Sequence, residues 1–358
     1  MTRDVKNSNN FINILRGLAI FLMLWGHCVQ ICIPGELDFF ENSVFKTIYS
    51  FHMPLFMLIS GYLFYFSCEK RGLKELLQNR CHGLLQTIIL GGIFNFFATT
   101  VIYSIVKGNF SIIFDGKWLG SLAGLWFLWS VLSSSIILGI IYKKVKPIWL
   151  QIILLILASS LVLLFPNGVN NFFMYPYYVI GFYFAKCKPN IKNAVLNTKY
   201  ISLVLFPILL LFFEKRHYIY TTGLYSKDYS LIQLLEINVF RYTIGLIGSI
   251  CAITLMELIY LHVVNKCPNL FVWNWICTMG RKSLQIYTLS VVFLSSYLSV
   301  VYPKIIAIAP AIDVFFENNI WIYNLVFTPT LGIVFSVGII AIIQIFQKIK
   351  LSNLIFGK

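Results

Sequence analysis

Asn9-Asn-Phe-Ile-Asn13-Ile-Leu-Arg16-Gly-Leu-Ala-Ile-Phe-Leu-Met-Leu-Trp-Gly-His27-Cys-Val-Gln30-Ile-Cys32 decides the fold class of this chain. Apart from one arginine, one histidine and a few amides, the stretch is apolar over the length a helix needs to cross a bilayer core, about 20 residues. A secretory leader would end sooner, in small residues at a cleavage site. This run continues past Cys28, so it reads as a retained first span.

The same ruler carried outward gives spans near 11–32, 45–67, 83–106, 119–141, 148–165, 170–186, 198–213, 231–256, 283–301 and 320–347. Composition agrees. Of 358 residues 59% are hydrophobic and 11% charged, with mean hydropathy +0.81, whereas a soluble domain carries about 25% charged residues. The expected fold is all-α: a polytopic integral membrane bundle of about ten transmembrane helices. It forms one domain over residues 1–358, with no separate soluble domain.

The net charge of +15 does not form a nucleic-acid patch, because the basic residues sit in short loops between apolar runs. Of the 28 Lys and Arg, Arg16 and Arg241 lie well inside spans. Seven fall in alternate loops or at their edges: Lys46, Lys107, Lys117, Lys215, Arg216, Lys227 and Lys304. The remaining nineteen fall in the other loops and the two ends. The positive-inside rule then puts both termini in the cytoplasm. The localisation expected is the plasma membrane, multi-pass, with membrane lipid as the surrounding partner and nucleic acid excluded. The eight cysteines show no CxxC spacing; they read as small apolar residues, and no metal site is expected.

A charge near the bilayer centre costs about 2.5–3.5 kcal/mol on insertion scales, so such residues tend to face the bundle interior and mark function. Arg16 and His27 are eleven residues apart, which returns almost to the same azimuth and separates them by roughly 16 Å along the axis. Asn9, Asn13 and Gln30 fall near the same direction, giving the first helix one polar stripe. The bland alternative is an arginine reaching the inner headgroups and a hydrogen-bonded interior histidine.

In the second span, His52 precedes Pro54, which removes a backbone donor and frees a carbonyl nearby. Ser60 and Gly61 allow close helix approach and Tyr62 follows them; packing explains Ser60 and Gly61 as well as chemistry does. Arg80 and His82 stand at the mouth of the third span, where a headgroup contact is an equal explanation. Trp126 to Trp129 read as interfacial or core aromatics. Glu236 and Arg241 pair with each other or with neighbours, or else face an external polar cavity.

These motifs, in this order, resemble the membrane-bound acyltransferase family 3, which includes O-acetyltransferases of cell-surface polysaccharides. The resembling pieces are the Asn13–Arg16–His27 helix, the Phe51-His52-Met53-Pro54-Leu55-Phe56 and Ile59-Ser60-Gly61-Tyr62 block, Arg80, Leu125-Trp126-Phe127-Leu128, and Gly280-Arg-Lys-Ser283-Leu284-Gln-Ile286-Tyr287. The resemblance implies transfer of an acyl group, acetyl by default, from cytoplasmic acyl-CoA to a hydroxyl of a glycan or lipid-linked saccharide. His27 matches the family's essential histidine, Arg16 its essential arginine, and Arg80 the first basic residue of the arginine motif in span three.

This chain departs from the family in four places. Asn13 stands where many members have Asp, and Gly83 where the second arginine of span three falls. Thr87 replaces a frequent proline, and Thr288-Leu289-Ser290 stands where the last block often ends in His. On the resemblance, the catalytic residues expected are His27, Arg16 and His52. Arg16, Arg80 and Asn13 would hold acetyl-CoA, a co-substrate rather than a permanently bound cofactor. Ser60, Tyr62, Trp126, Glu236 and Arg241 would contact the acceptor. His27 would act either as general base or through an acyl-imidazole. The rival class is a non-enzymatic flippase, polymerase or transporter of lipid-linked glycans. Self-association into a homo-oligomer stays open.

Overall fold

The computed structural model describes residues 3–107, 118–188, 191, 193–264, 266–267 and 270–356, with the side chains of 3–9, 106–107, 118–119, 121, 194–195, 295–297 and 299 left aside. Of the residues singled out above, Lys117 and the side chains of Asn9 and Lys107 lie outside this set. Every regular element among the described residues is helical.

The principal helices are α1 (Arg3–Ile31), α2 (Ser43–Lys70), α3 (Leu73–Ile105), α4 (Trp126–Lys144), α5 (Ile148–Leu164), α6 (Gly168–Cys187), α7 (Thr198–Leu210), α8 (Leu231–Val264), α9 (Phe271–Arg281), α10 (Ser283–Leu294), α11 (Ser299–Ile308), α12 (Ala311–Asn318) and α13 (Ile320–Lys348). Six of them, α1, α2, α3, α4, α8 and α13, are long and apolar enough to cross a membrane. The other four expected spans are helical too, but shorter or more polar. α5 tightens into a 3-10 turn over Ala158–Leu164, α7 contains Pro207, and α10 widens into i→i+5 turns over Val291–Leu298.

Two stretches read as cytoplasmic loop are helical. Residues 73–80 begin α3, burying Leu76. Residues 271–281 form α9, which is too short to register as a span. Local chemistry sets other boundaries. Ser230 caps α8 in a reciprocal capping box with Gln233. Asn42 accepts from the backbone N–H of Val44 and Phe45 at the start of α2, and donates to Asn324 Oδ1 at 2.8 Å.

The chain divides into two compact units. The first comprises Met1–Tyr49, Ile89–Leu125 and Cys267–Lys358. In it α1 packs against α9, α10 and α13. Gly17 and Gly280 sit one turn apart where α1 meets α9: a Cβ on Gly17 would strike the carbonyl of Ile276, and one on Gly280 the carbonyl of Asn13. Such backbone approach supplies the dispersion contact that holds helices together without a hydrophobic drive between them. α13 is tied to α1 by Trp25 Nε1 donating to Thr328 Oγ1 (3.0 Å) and Tyr323 OH donating to the Val29 carbonyl (2.6 Å).

The second unit comprises Ser50–Ile88 and Trp126–Lys266. Gly61 of α2 and Gly181 of α6 repeat the device, each backed by a carbonyl of the other helix, Tyr178 and Leu58 respectively. Gly245 and Gly248 of α8 lie against Pro54 and Phe51 of α2. Ser130 of α4 donates to Asn171 Oδ1 of α6 at 2.6 Å.

Candidate active site

Within the first unit α1 is one uninterrupted helix through Arg16 and His27, so the two side chains keep the common face read from their spacing. Both are half-buried. Arg16 Nη2 donates to Ser283 Oγ at 2.7 Å. Ser283 opens α10 immediately after the Gly17–Gly280 crossing, so the close approach of α9 delivers the hydroxyl. Asn13, also half-buried, lends its carbonyl to that crossing. Further along, Ser290 of α10 lies against the sulfur of Met23 at 3.9 Å. α10 therefore follows the polar stripe of α1 from Arg16 toward His27.

His27 Nδ1 lies 3.2 Å from Gln30 Oε1 and 3.1 Å from Tyr49 OH, and that hydroxyl is itself 3.4 Å from Gln30 Oε1. One proton arrangement satisfies all three contacts. Nδ1–H is shared between Gln30 Oε1 and the Tyr49 oxygen while the tyrosine hydroxyl donates to the same amide oxygen, which leaves Nε2 with its lone pair. Tyr49 meets the imidazole edge-on, at 6.0 Å and 89°, and stacks at 3.9 Å on Phe45. The ring is held by its far nitrogen, with the other available to take a proton.

The second unit holds the other expected residues. His52 is 2% exposed, in the turn that Pro54 interrupts. Ser60 is half-buried beside the Gly61–Gly181 crossing. The Tyr62 ring meets Phe66 and Phe184 and carries Lys188 Nζ at 5.8 Å. Arg80 is half-buried with its guanidinium 4.7 Å over the Phe64 ring, and no hydrogen-bond or carboxylate partner meets it among the described residues. A cation held on an aromatic face with its N–H groups unfilled is suited to an anion.

Directly after Arg80 the helix makes an i→i+5 turn over Cys81–Leu85. Thr87 Oγ1 donates to the Gly83 carbonyl at 2.7 Å. Two of the positions where this chain departs from the family resemblance thus bond to each other. Trp126 starts α4 half-buried, edge-on to Phe127 at 6.2 Å, as an aromatic packing residue would be.

Arg241 and Glu236 do not pair. Glu236 is exposed. Arg241, 2% exposed, donates to the carbonyls of Arg216 (2.7 Å), His217 (2.8 Å), Tyr218 (3.0 Å) and Gly223 (2.5 Å), to Asn238 Oδ1 (3.0 Å) and to Thr222 Oγ1. Its guanidinium is the clasp of the 214–223 loop: of the alternatives open in the sequence, bonding to neighbours is what the structure contains.

The sequence reading does not single out Tyr49 or Ser283 as partners. The available signals are weak: Tyr49 lies one turn before His52, and Ser283 lies three residues after Gly280.

All-helical, apolar and carrying a histidine and an arginine on one helix face, the chain has the build of a membrane acyltransferase. The family described as an acyltransferase domain matches residues 9–343, and the chain belongs to it. Among curated proteins it is similar to Nodulation protein NolL of Sinorhizobium fredii, 29% identical over 218 residues. It is likewise similar to Nodulation protein NolL of Mesorhizobium japonicum, 27% identical over 220 residues. These alignments cover 56% and 57% of this chain and 55% of each relative, so the chain spans about half the length of the curated relatives it matches. No solved structure matches it.

Proposed function

We propose that this acyltransferase is an O-acetyltransferase that moves an acetyl group from cytoplasmic acetyl-CoA to a hydroxyl of a cell-surface polysaccharide or lipid-linked glycan. The observation that carries the reading is the His27 imidazole, fixed through Nδ1 by Gln30 and Tyr49 on the helix face that also bears Arg16. His27 Nε2 takes the proton of the acceptor hydroxyl. The freed oxygen forms a bond to the thioester carbonyl carbon, the C–S bond breaks, and the thiolate leaves with the proton returned from the imidazolium. The family resemblance nominates Arg16, Arg80 and Asn13 as the residues that hold the donor, the arginines through its phosphates. His52, Ser60, Tyr62, Trp126 and Glu236 contribute to the acceptor side, and Arg241 shapes that side through the loop it clasps. The chain sits in the plasma membrane, crossing about ten times with both termini cytoplasmic.

Membranes containing the protein, incubated with radiolabelled acetyl-CoA, should place label in extracted glycan. His27→Ala should abolish incorporation, and Tyr49→Phe, which leaves Gln30 to orient the ring alone, should lower it about tenfold. A folded His27→Ala protein that labels glycan at the normal rate would remove the assignment. Unlabelled glycan of altered length or export would favour a translocating protein instead.

A further inference from the structure

Two neighbouring helices of the second unit end in the same order of side chains. α2 carries Tyr62, Phe66 and Lys70 at i, i+4 and i+8, and Lys70 is its last residue. α6 carries Ile180 and Phe184 at the same spacing before Lys188, its C-cap. Four residues turn a helix by about 40° beyond a full circle, so each trio is one slowly winding stripe about 12 Å long. Both stripes are apolar along their length and cationic at their end. The Gly61–Gly181 crossing packs the two helices together, and side chains join the stripes across it. The Tyr62 ring meets Phe66 at 5.3 Å and Phe184 at 6.4 Å, and Lys188 Nζ lies 5.8 Å over it.

Phe66, Ile180 and Phe184 are each 42% exposed, which in a bilayer means exposed to lipid chains. Lys70 and Lys188 are exposed too, and neither meets a carboxylate among the described residues. The acid beside Lys70 is already engaged: Glu69 accepts from Tyr142 OH at 2.7 Å. An apolar face alone says only that something apolar covers it. Two uncompensated ammonium groups at one end say that the cover carries negative charge at that level. We infer that the α2–α6 face seats one anionic phospholipid, its phosphate held by Lys70 and Lys188 and its chains lying along Phe66, Phe184 and Ile180. In the orientation proposed above this is the cytoplasmic leaflet, whose anionic lipids attract basic residues at the membrane surface. A soluble phosphate ligand would have no use for the apolar stripes. The inference goes beyond acyl transfer and stands without it; Tyr62 enters only as the aromatic floor beneath Lys188.

The test is native mass spectrometry of the purified full chain, titrated with phosphatidylglycerol and with phosphatidylcholine of the same acyl chains. The wild type should retain one phosphatidylglycerol with roughly thirtyfold preference, the gain expected from two lysines beside a lipid phosphate. Lys70→Gln and Lys188→Gln should each lower that preference about fivefold, and the double variant should nearly abolish it. Lys144→Gln with Lys146→Gln removes the same charge from the connection between α4 and α5 and should leave the preference unchanged. A phosphatidylglycerol with a photoreactive chain should label peptides of α2 and α6. Equal retention of both lipids by the wild type overturns the inference, and that comparison needs no variant to fold. An equal loss in the two double variants overturns it as well, since net charge alone would then be responsible. Displacement of the bound lipid by millimolar CoA would give the lysines to a soluble phosphate ligand and overturn it too.

Discussion

Gly280 of α9 lies against the backbone carbonyl of Asn13 of α1, in the space a Cβ would need, and one turn along the same crossing Gly17 lies likewise against the carbonyl of Ile276. The crossing matters because Arg16 and Ser283 flank it and form their 2.7 Å bond from its two sides. Gly280→Ala should push the helices apart at a cost of about 1–3 kcal/mol, lowering Tm and weakening acetyl transfer together. Gly338→Ala, whose added carbon meets open space, is the matched control. A Gly280→Ala protein with unchanged Tm and activity would mean the contact is dispensable.

Arg241 presents its planar fork to the backbone of the 214–223 loop. Lysine has three donors on one point and cannot reach those carbonyls together. Arg241→Lys should cost about 3 kcal/mol through unpaired buried carbonyls, seen as a Tm lower by several degrees and as protease nicking within the loop. Glu236→Gln should leave both unchanged. Equal protease resistance in the wild type and Arg241→Lys would refute the clasp.

His217 ends the short 3-10 turn over Lys215–His217. It stacks at 4.4 Å on Phe240, and its Nδ1 accepts from the Glu214 backbone N–H at 2.9 Å. Burial pushes the imidazole down to about 4, helped by the positive charges of Arg216 and Arg241. An unfolded histidine titrates near 6.5. Below that pH the unfolded chain binds a proton that the folded loop does not, so this contribution to stability is whole above about 6.5 and drains away as pH falls toward about 4. Tm measured from pH 7 to 4.5 should fall more steeply for the wild type than for His217→Gln. Parallel curves would show that His217 does not titrate as described.

How far the sequence reads as structure depends on whether a residue's role is local. The helices at 45–67 and 320–347 are visible because a bilayer demands long apolar runs. They appear as Ser43–Lys70 and Ile320–Lys348. The common face of Arg16 and His27 follows from helical periodicity alone. α9 is different: eleven residues with Asn274 and Arg281 among aromatics carry no spanning signal, and its importance lies in a glycine meeting a backbone carbonyl more than 250 positions away. Tyr49 and Ser283 are hidden for the same reason, since a hydroxyl becomes a partner only when another helix brings it within reach. Arg241 shows the converse. Its cost in an apolar helix singles it out, but composition cannot say whether an arginine holds a substrate or its own chain.

The i→i+5 turn at Cys81–Leu85 amounts to one surplus residue wound into α3. Each residue advances a helix by about 100°, so the turn immediately downstream, Gln86 to Ile88, is rotated by that angle from where an unbroken α-helix would aim it. Excising Gly83 would let the coil relax to regular pitch and take away the carbonyl to which Thr87 bonds. Phasing of this turn is therefore set by a single-residue insertion, with the Thr87 hydroxyl stitched across it.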